Sequence, residues 1–236
     1  MAFFFSFDYA DLAVIVPRLS HIGAGAVALF AGLVPMLGRK GGLWHRRAGR
    51  VYVGAMIVVA VTALVLTALL PLTSGRLFLT GIAVFSFYLS FSGWRAARRR
   101  TYALAGLDQG LVVFTLLSGL AMLGAGLYWR AVLFGFFGAL MLIFAGFDAR
   151  AMLRPAAPDA RPTPWIFRHI PRMGGSYIAT FTAFLVVNLS RWLPESAPGW
   201  LNLVGWIAPS ILGSLLIRRA IRGYKARLLK PVVAVA

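Results

Sequence analysis

Two long apolar runs of this chain are joined by the stretch Leu43-Trp44-His45-Arg46-Arg47-Ala48-Gly49-Arg50-Val51-Tyr52. On helical spacing His45, Gly49 and Tyr52 share one face, with Arg46 and Arg50 beside them. Basic and aromatic residues at a helix entry are typical of an anchor at the lipid headgroups. The same face suits an anionic or metal-containing ligand. The stretch therefore predicts the start of a membrane-spanning helix and a candidate binding surface.

The composition supports a membrane setting. Of the 236 residues, 60% are hydrophobic and 13% are charged, which leaves too little polar surface to cover a soluble globule. The chain has no cysteine, so disulfides, thiolate metal sites and iron–sulfur clusters are excluded. Any metal or haem must then be held by His, Met, Tyr or carboxylate side chains.

Seven apolar runs approach the ~20 residues that a bilayer crossing requires. They predict an all-α, polytopic transmembrane helical bundle that forms a single transmembrane domain over residues 1–236. The predicted spans are Leu12–Leu37, Val51–Leu72, Leu77–Trp94, Asp108–Trp129, Ala131–Met152, His169–Leu193 and Trp200–Arg219.

The cations predict the orientation of the bundle. Lys and Arg number 24, and only Arg18, Arg76, Arg130 and Arg191 lie on the side of the N-terminus. Because cytoplasmic loops are enriched in Lys and Arg, we expect the N-terminus outside and the C-terminus inside. The expected partner of the basic inner loops is the anionic headgroups of the inner leaflet, at roughly 1 kcal/mol per cation near the surface. Nucleic acid is not an expected partner.

Four ionisable side chains are predicted at the cytoplasmic ends of spans: His45, Asp108, Asp148 and His169. Such residues are costly in a membrane and are functional candidates by default. The two histidines with either carboxylate form a set suited to Zn²⁺ or Fe²⁺. The alternative to a metal site is a structural role, in which the histidines and the carboxylates hydrogen-bond to one another and join the helices.

The same two histidines also suit a haem. His45 and His169 are predicted at one depth on different helices, as the axial ligands of one haem b would be. Arg46, Arg50 or Arg172 would then receive the propionates. Without haem or metal, this basic pocket suits transport or binding of an anionic small molecule or lipid headgroup. A structural accessory subunit is the remaining alternative, and the residues leave enzymatic activity undecided.

His21 is predicted apart from the other histidines, in the outer half of the first span. Asn188 follows His169 by nineteen residues, or about 28 Å along a straight helix, and so reaches a similar depth. We expect His21 to hydrogen-bond Asn188 or another polar group of the sixth or seventh span. This would be an outer polar site, distinct from the inner one.

Several motifs resemble a known family. They are His21-x-x-Ala24/Gly25, His45-Arg46-x-x-Gly49-Arg50-x-Tyr52, the run from His169 to Asn188, and Trp206-x-x-Pro209-Ser210-x-x-Gly213. Together they resemble the DUF2306-like group of bacterial polytopic membrane proteins. The resemblance implies a multi-pass protein of the bacterial inner (plasma) membrane and directs attention to His21, His45, His169 and Asn188, without implying an activity.

Other seven-span classes do not fit the residues. A retinal protein needs a lysine in its last span, whereas Lys40, Lys225 and Lys230 all lie outside the predicted spans. The zinc-binding group that includes haemolysin III carries a His-x-x-x-His pair on its last span, which has no histidine here. Cytochromes with two bis-His haems are excluded because the chain has 3 His.

Overall fold

A computed structural model describes residues 9–100, 104, 106–153, 164–194 and 196–228. These residues form seven α-helices. The helices are α1 (Tyr9–Leu37), α2 (Leu43–Leu69), α3 (Ser74–Arg99), α4 (Gly106–Tyr128), α5 (Val132–Leu153), α6 (Ile166–Trp192) and α7 (Trp200–Leu228).

The predicted all-α, seven-span fold is confirmed. Each of the seven helices is long and apolar enough to cross a membrane. Several helices extend beyond the apolar runs from which they were predicted. α2 begins at Leu43 rather than Val51, and α7 continues to Leu228 rather than ending at Arg219. The physical reason is that a helix extends into the polar headgroup region, where its backbone bonds remain satisfied but its side chains are no longer apolar. Arg154, Arg161 and Lys230, which were counted as inner cations, lie outside the described residues.

The chain forms two compact units. The first comprises α1, α2, α4, α5 and α3 as far as Phe91; the second comprises the last turns of α3 with α6 and α7. The sequence-based prediction of one transmembrane domain stays a prediction.

In the first unit α3 packs on α5 through aromatic rings. Phe78 lies 5.2 Å from Phe134 and 5.7 Å from Phe137, and Phe85 lies 5.8 Å from Phe144, measured between ring centroids. These separations are in the range of favourable aromatic pairs. The rings hold the interior face of α3 against α5, so that its polar residues are buried as well.

Glycines set the separation of α4 and α5. A Cβ added to Gly138 would lie 2.7 Å from the backbone nitrogen of Leu123, and one added to Gly126 would lie 2.5 Å from the nitrogen of Gly135. Both obstacles are backbone atoms, which cannot rotate away. Small residues of this kind let membrane helices approach closely.

In the second unit α6 and α7 pack antiparallel. The side chain of Ile217 lies against Gly174, that of Ile178 against Gly213, and that of Leu189 against Gly205. Closer to the N-terminus of α6, the ammonium of Lys225 lies 5.8 Å from the centroid of the Phe167 ring. These contacts fix the register of the two helices along most of their length.

Candidate functional site

The turn between α1 and α2 is built around the last carbonyls of α1. Lys40 Nζ donates to the carbonyl of Met36 and, at 2.7 Å, to that of Pro35. His45 Nδ1 lies 3.3 Å from the same Pro35 oxygen. Because a helix leaves its last four carbonyls without partners of its own, these side chains satisfy groups that would otherwise be costly in a membrane. Partial desolvation at this helix end lowers the pKa of Lys40.

The arginines of this turn are exposed. Arg46 Nη1 donates to the carbonyl of Gly41 at 3.2 Å, and Gly41 has a φ of +74°, in the left-handed region that glycine adopts at least cost. Arg50 lies one turn further along α2 and is also exposed, whereas Tyr52 is buried. The predicted face is therefore divided: Tyr52 packs inside the first unit, and the guanidinium groups face outward.

His21 lies on α1 and is half-buried against α2. Its Nδ1 is 3.1 Å from the carbonyl oxygen of Val59 and 3.0 Å from Thr62 Oγ1. Thr62 in turn donates to the carbonyl of Val58 at 2.7 Å. Nδ1 thus bonds to the second span, and a further partner in the sixth or seventh span stays a prediction. Sequence does not specify which helices are neighbours, and α2, the next helix in the chain, reaches His21 first.

Asn188 uses its side chain within its own helix. Its Nδ2 donates to the carbonyl of Phe184 at 2.8 Å, and the residue is partly exposed. The outer polar site predicted for His21 and Asn188 stays a prediction.

The two acids predicted as site residues are both buried in the first unit. Asp108 is 3% exposed and Asp148 is 1% exposed. Asp148 Oδ2 accepts a hydrogen bond of 2.5 Å from the hydroxyl of Tyr88, which is also 1% exposed. Tyr88 was not predicted as a site residue. The sequence does contain a signal for Tyr88: it is an aromatic residue with a hydroxyl group in the middle of a span. It lies between Ser86 and Ser90, and these two serines share one helix face.

His169 belongs to the second unit. Its Nδ1 is 2.9 Å from the carbonyl oxygen of Gly93 near the end of α3, and its ring lies 5.7 Å from that of Trp165 in an edge-on arrangement. The carbonyl is reachable because Gly93 has no side chain: a Cβ there would lie 3.0 Å from Met173 and Arg172. A carbonyl only accepts, so the Nδ1 of His169 carries the proton.

Two arginines on α6 are buried. Arg168 is 3% exposed and Arg172 is 4% exposed, and the fully buried Ser176 follows on the same helix face. Arg172 is predicted from the sequence as a ligand-binding residue, whereas Arg168 is one of the cations predicted on the inner side and has no predicted role in the site. Its burial could not be read from the sequence, because the arginines of a helix entry usually extend to the headgroups.

Cations gather at one end of the α6–α7 pair. The antiparallel register brings the first turns of α6 beside the last turns of α7, and neither helix has an acidic residue in its sequence. The cations whose side chains the structure describes at this end are Arg168, Arg172, Arg218, Arg219, Arg222 and Lys225. Those of α7 are exposed. We call these six residues the cationic end.

Metal ligands do not gather in the same way. Within the described ranges, no three His, Asp or Glu side chains form a group that could hold a metal ion. The predicted set of His45, His169, Asp108 and Asp148 therefore has no support as a divalent-metal site.

Comparison with known proteins gives one match. The family model DUF2306, described as a predicted membrane protein, matches residues 18–106. Curated proteins and solved structures gave no match. The matched segment contains His21 and the motif from His45 to Tyr52, while the later motifs lie beyond it. The resemblance to the DUF2306 family of predicted membrane proteins is thus confirmed over residues 18–106.

Proposed function

We propose that this multi-pass membrane protein binds an anionic ligand, a small molecule or a lipid headgroup, at the cationic end of α6 and α7 without a metal ion. The observation that supports this proposal most directly is that six cations lie at one end of two helices whose sequences contain no acidic residue. Arginine suits phosphate and carboxylate because its planar guanidinium donates two parallel hydrogen bonds.

The excess of Lys and Arg supports placing the cationic end at the cytoplasmic face. Formal charge is +18, and the positive-inside bias puts such residues on the inner side of a bacterial plasma membrane. An anionic inner leaflet would then supply headgroups at high local concentration.

The anion-binding proposal can be tested with exposed residues, which limits the risk of misfolding. Inorganic pyrophosphate is titrated into the protein in zwitterionic nanodiscs by calorimetry. The double variant Arg219→Gln/Arg222→Gln is expected to weaken binding about 10-fold or more, because charge-assisted hydrogen bonds contribute roughly 1.5–3 kcal/mol. Chelation of divalent metals is expected to leave binding unchanged.

Arg191→Gln is the matched control, since Arg191 is an exposed arginine at the other end of α6. Equal weakening by Arg191→Gln would mean that net charge, rather than the cationic end, governs binding. Absence of pyrophosphate binding by the unaltered protein would contradict the proposal.

A second candidate function is haem binding, either by His45 with Arg46 and Arg50 at the propionates or by His169 with Arg172 at the propionates. The supporting observation is that the Nδ1 of each histidine bonds to a backbone carbonyl of another helix. This bond puts the proton on Nδ1 and the lone pair on Nε2, as in histidines that bind metals. A haem held in this way would supply one-electron redox chemistry.

Reconstitution with hemin distinguishes the two candidates. If either histidine binds haem, the protein develops a Soret band that is lost in His45→Ala or in His169→Ala. His21→Ala is the control for loss of any histidine and is expected to keep the band; loss of the band in all three variants would show that it does not report ligation by His45 or His169. A protein that gains no Soret band with hemin would eliminate this candidate.

A further inference from the structure

The imidazole of His21 stands well inside the first span rather than at either end of it. His21 follows Leu12, where the apolar part of α1 begins, by nine residues, or about 14 Å along the helix. It precedes Leu37 by sixteen residues, or about 24 Å. A charged imidazolium would be costly at this depth. His21 is therefore neutral, with a proton on one ring nitrogen and a lone pair on the other.

The proton of His21 lies on Nδ1. This nitrogen is 3.1 Å from the carbonyl oxygen of Val59 and 3.0 Å from Thr62 Oγ1. Thr62 donates its own proton to the carbonyl of Val58, so both neighbours of Nδ1 act as acceptors. The lone pair is then on Nε2, which takes part in neither bond. At Nε2 the side chain offers an acceptor and no donor.

A space lies beside His21 on the same face of α1. A Cβ added to Gly25, one turn further along the helix, would meet no heavy atom of the described residues within 4 Å. Because helical side chains lean toward the N-terminus, the missing side chain of Gly25 leaves this space at the level of His21. Ala28 is fully buried, so α1 is closely packed one turn beyond the space. Gly25 itself is partly exposed, and the space therefore opens to the bilayer.

The chemistry of this space restricts what fills it. An occupant must be uncharged, apolar enough to enter the hydrocarbon layer, and able to donate a hydrogen bond to Nε2 of His21. Phospholipids present only hydrocarbon at this depth and offer no donor. A phenolic hydroxyl is the best match, because a phenol is more acidic than an alcohol and is the stronger donor to an imidazole nitrogen.

We propose that the space beside His21 binds a hydroquinone dissolved in the membrane, with one phenolic hydroxyl donating to Nε2. Hydroquinones with an apolar tail combine an uncharged ring, a strong donor and solubility in hydrocarbon. The corresponding quinone has carbonyl oxygens in place of the hydroxyls, and these oxygens only accept. The site is therefore selective for the reduced form. This proposal involves α1 and α2 alone and does not depend on anion binding at the cationic end.

The experiment compares the two redox forms of one molecule, decylubiquinol and decylubiquinone. The whole protein in zwitterionic nanodiscs is equilibrated with either form under argon, the nanodiscs are captured, and the retained ligand is extracted and quantified. Empty nanodiscs of the same lipids give the amount that dissolves in the bilayer. Beyond that amount, the protein is expected to bind decylubiquinol about 10-fold more tightly than decylubiquinone, as one hydrogen bond predicts. Equal binding of the two forms would overturn the proposal.

Three variants locate the site. His21→Phe keeps a ring but removes the acceptor, and it is expected to abolish the preference for decylubiquinol. Because His21→Phe also loses the bond to Thr62, two glycine variants keep His21 in place. Gly25→Leu fills the space and is expected to weaken decylubiquinol binding about 10-fold or more, since the ring can no longer reach Nε2. Gly23→Leu is the matched control, because a Cβ there also meets no heavy atom of the described residues within 4 Å but lies on a different, exposed face of α1.

The outcomes separate binding at His21 from a general affinity for the bilayer. Equal weakening by Gly23→Leu and Gly25→Leu, or normal binding by Gly25→Leu, would show that the space beside His21 is not the binding site. A preference for the reduced form that persists in His21→Phe would also overturn the proposal. Dodecanol is expected not to compete with decylubiquinol, and competition at equal concentration would mean that the site does not recognise a hydroquinone. None of these results bears on the titration with pyrophosphate, which concerns α6 and α7.

Discussion

Gly138→Ala is expected to lower the midpoint of thermal unfolding by about 5–10 °C. The added Cβ would lie 2.7 Å from the backbone nitrogen of Leu123 and 3.0 Å from the carbonyl oxygen of Gly119, so α4 and α5 must separate. Overpacking of this kind costs about 1–3 kcal/mol, and each kcal/mol shifts the midpoint of a chain of this size by roughly 2–4 °C. The measurement is thermal unfolding of the purified protein in detergent micelles.

Gly146→Ala, on the same helix, is the control. A Cβ at Gly146 meets no heavy atom within 4 Å, so the substitution has room. Alanine also has the higher helix propensity, by about 1 kcal/mol, and the midpoint is expected to stay constant or rise slightly. The close approach of α4 and α5 would be contradicted if both variants unfolded at the temperature of the unaltered protein.

Tyr88→Phe is expected to destabilise the first unit by about 1–3 kcal/mol. The substitution keeps the ring in place but removes the hydroxyl that donates to the carboxyl group of Asp148 at 2.5 Å. Both side chains are 1% exposed, so water cannot replace the lost donor, and a buried acceptor that loses a hydrogen bond costs about 1–3 kcal/mol. Chemical unfolding in micelles measures the change in free energy.

A double-mutant cycle with Asp148→Asn isolates the contribution of the pair. The two changes together are expected to cost less than the sum of the single changes, because the interaction can be lost only once. Tyr128→Phe is the control, since Tyr128 is 84% exposed. Strict additivity, or an equal effect of Tyr88→Phe and Tyr128→Phe, would show that the bond does not stabilise the protein.

The sequence predicted the spans well because bilayer crossing imposes a length and a composition on each of them. All seven apolar runs coincide with helices, and α5 begins and ends within one residue of its predicted range. The extent of α2 was harder to predict, since the run from Leu43 to Arg50 is helical but not apolar. Hydropathy reports the surroundings of a residue and not the hydrogen bonding of its backbone.

The site was less predictable because sequence does not specify neighbours across helices. The bond of His21 to Thr62 of α2 was not predicted, and its expected partner in a later span stays a prediction. Asp148 was singled out for its charge, whereas its partner Tyr88 carries none and resembles the aromatic residues around it. Arg168 shows the same difficulty, since the sequence alone does not distinguish a buried arginine from one that extends to the headgroups.

The pairing of helices also bears on how the chain is made. α1 packs on α2, α4 on α5 and α6 on α7, so the partners in each pair are consecutive in the chain. Contacts between consecutive elements have low contact order and form quickly, and N-terminal parts fold first during synthesis. Each pair can therefore close as a hairpin as soon as its second helix leaves the ribosome. α3 bonds to α2 through Thr67 and Thr80, packs its aromatic rings and Tyr88 on α5, and is the most buried of the seven spans described. Its polar face, with Tyr88, is then the part of the protein that matures only after α5 has been inserted.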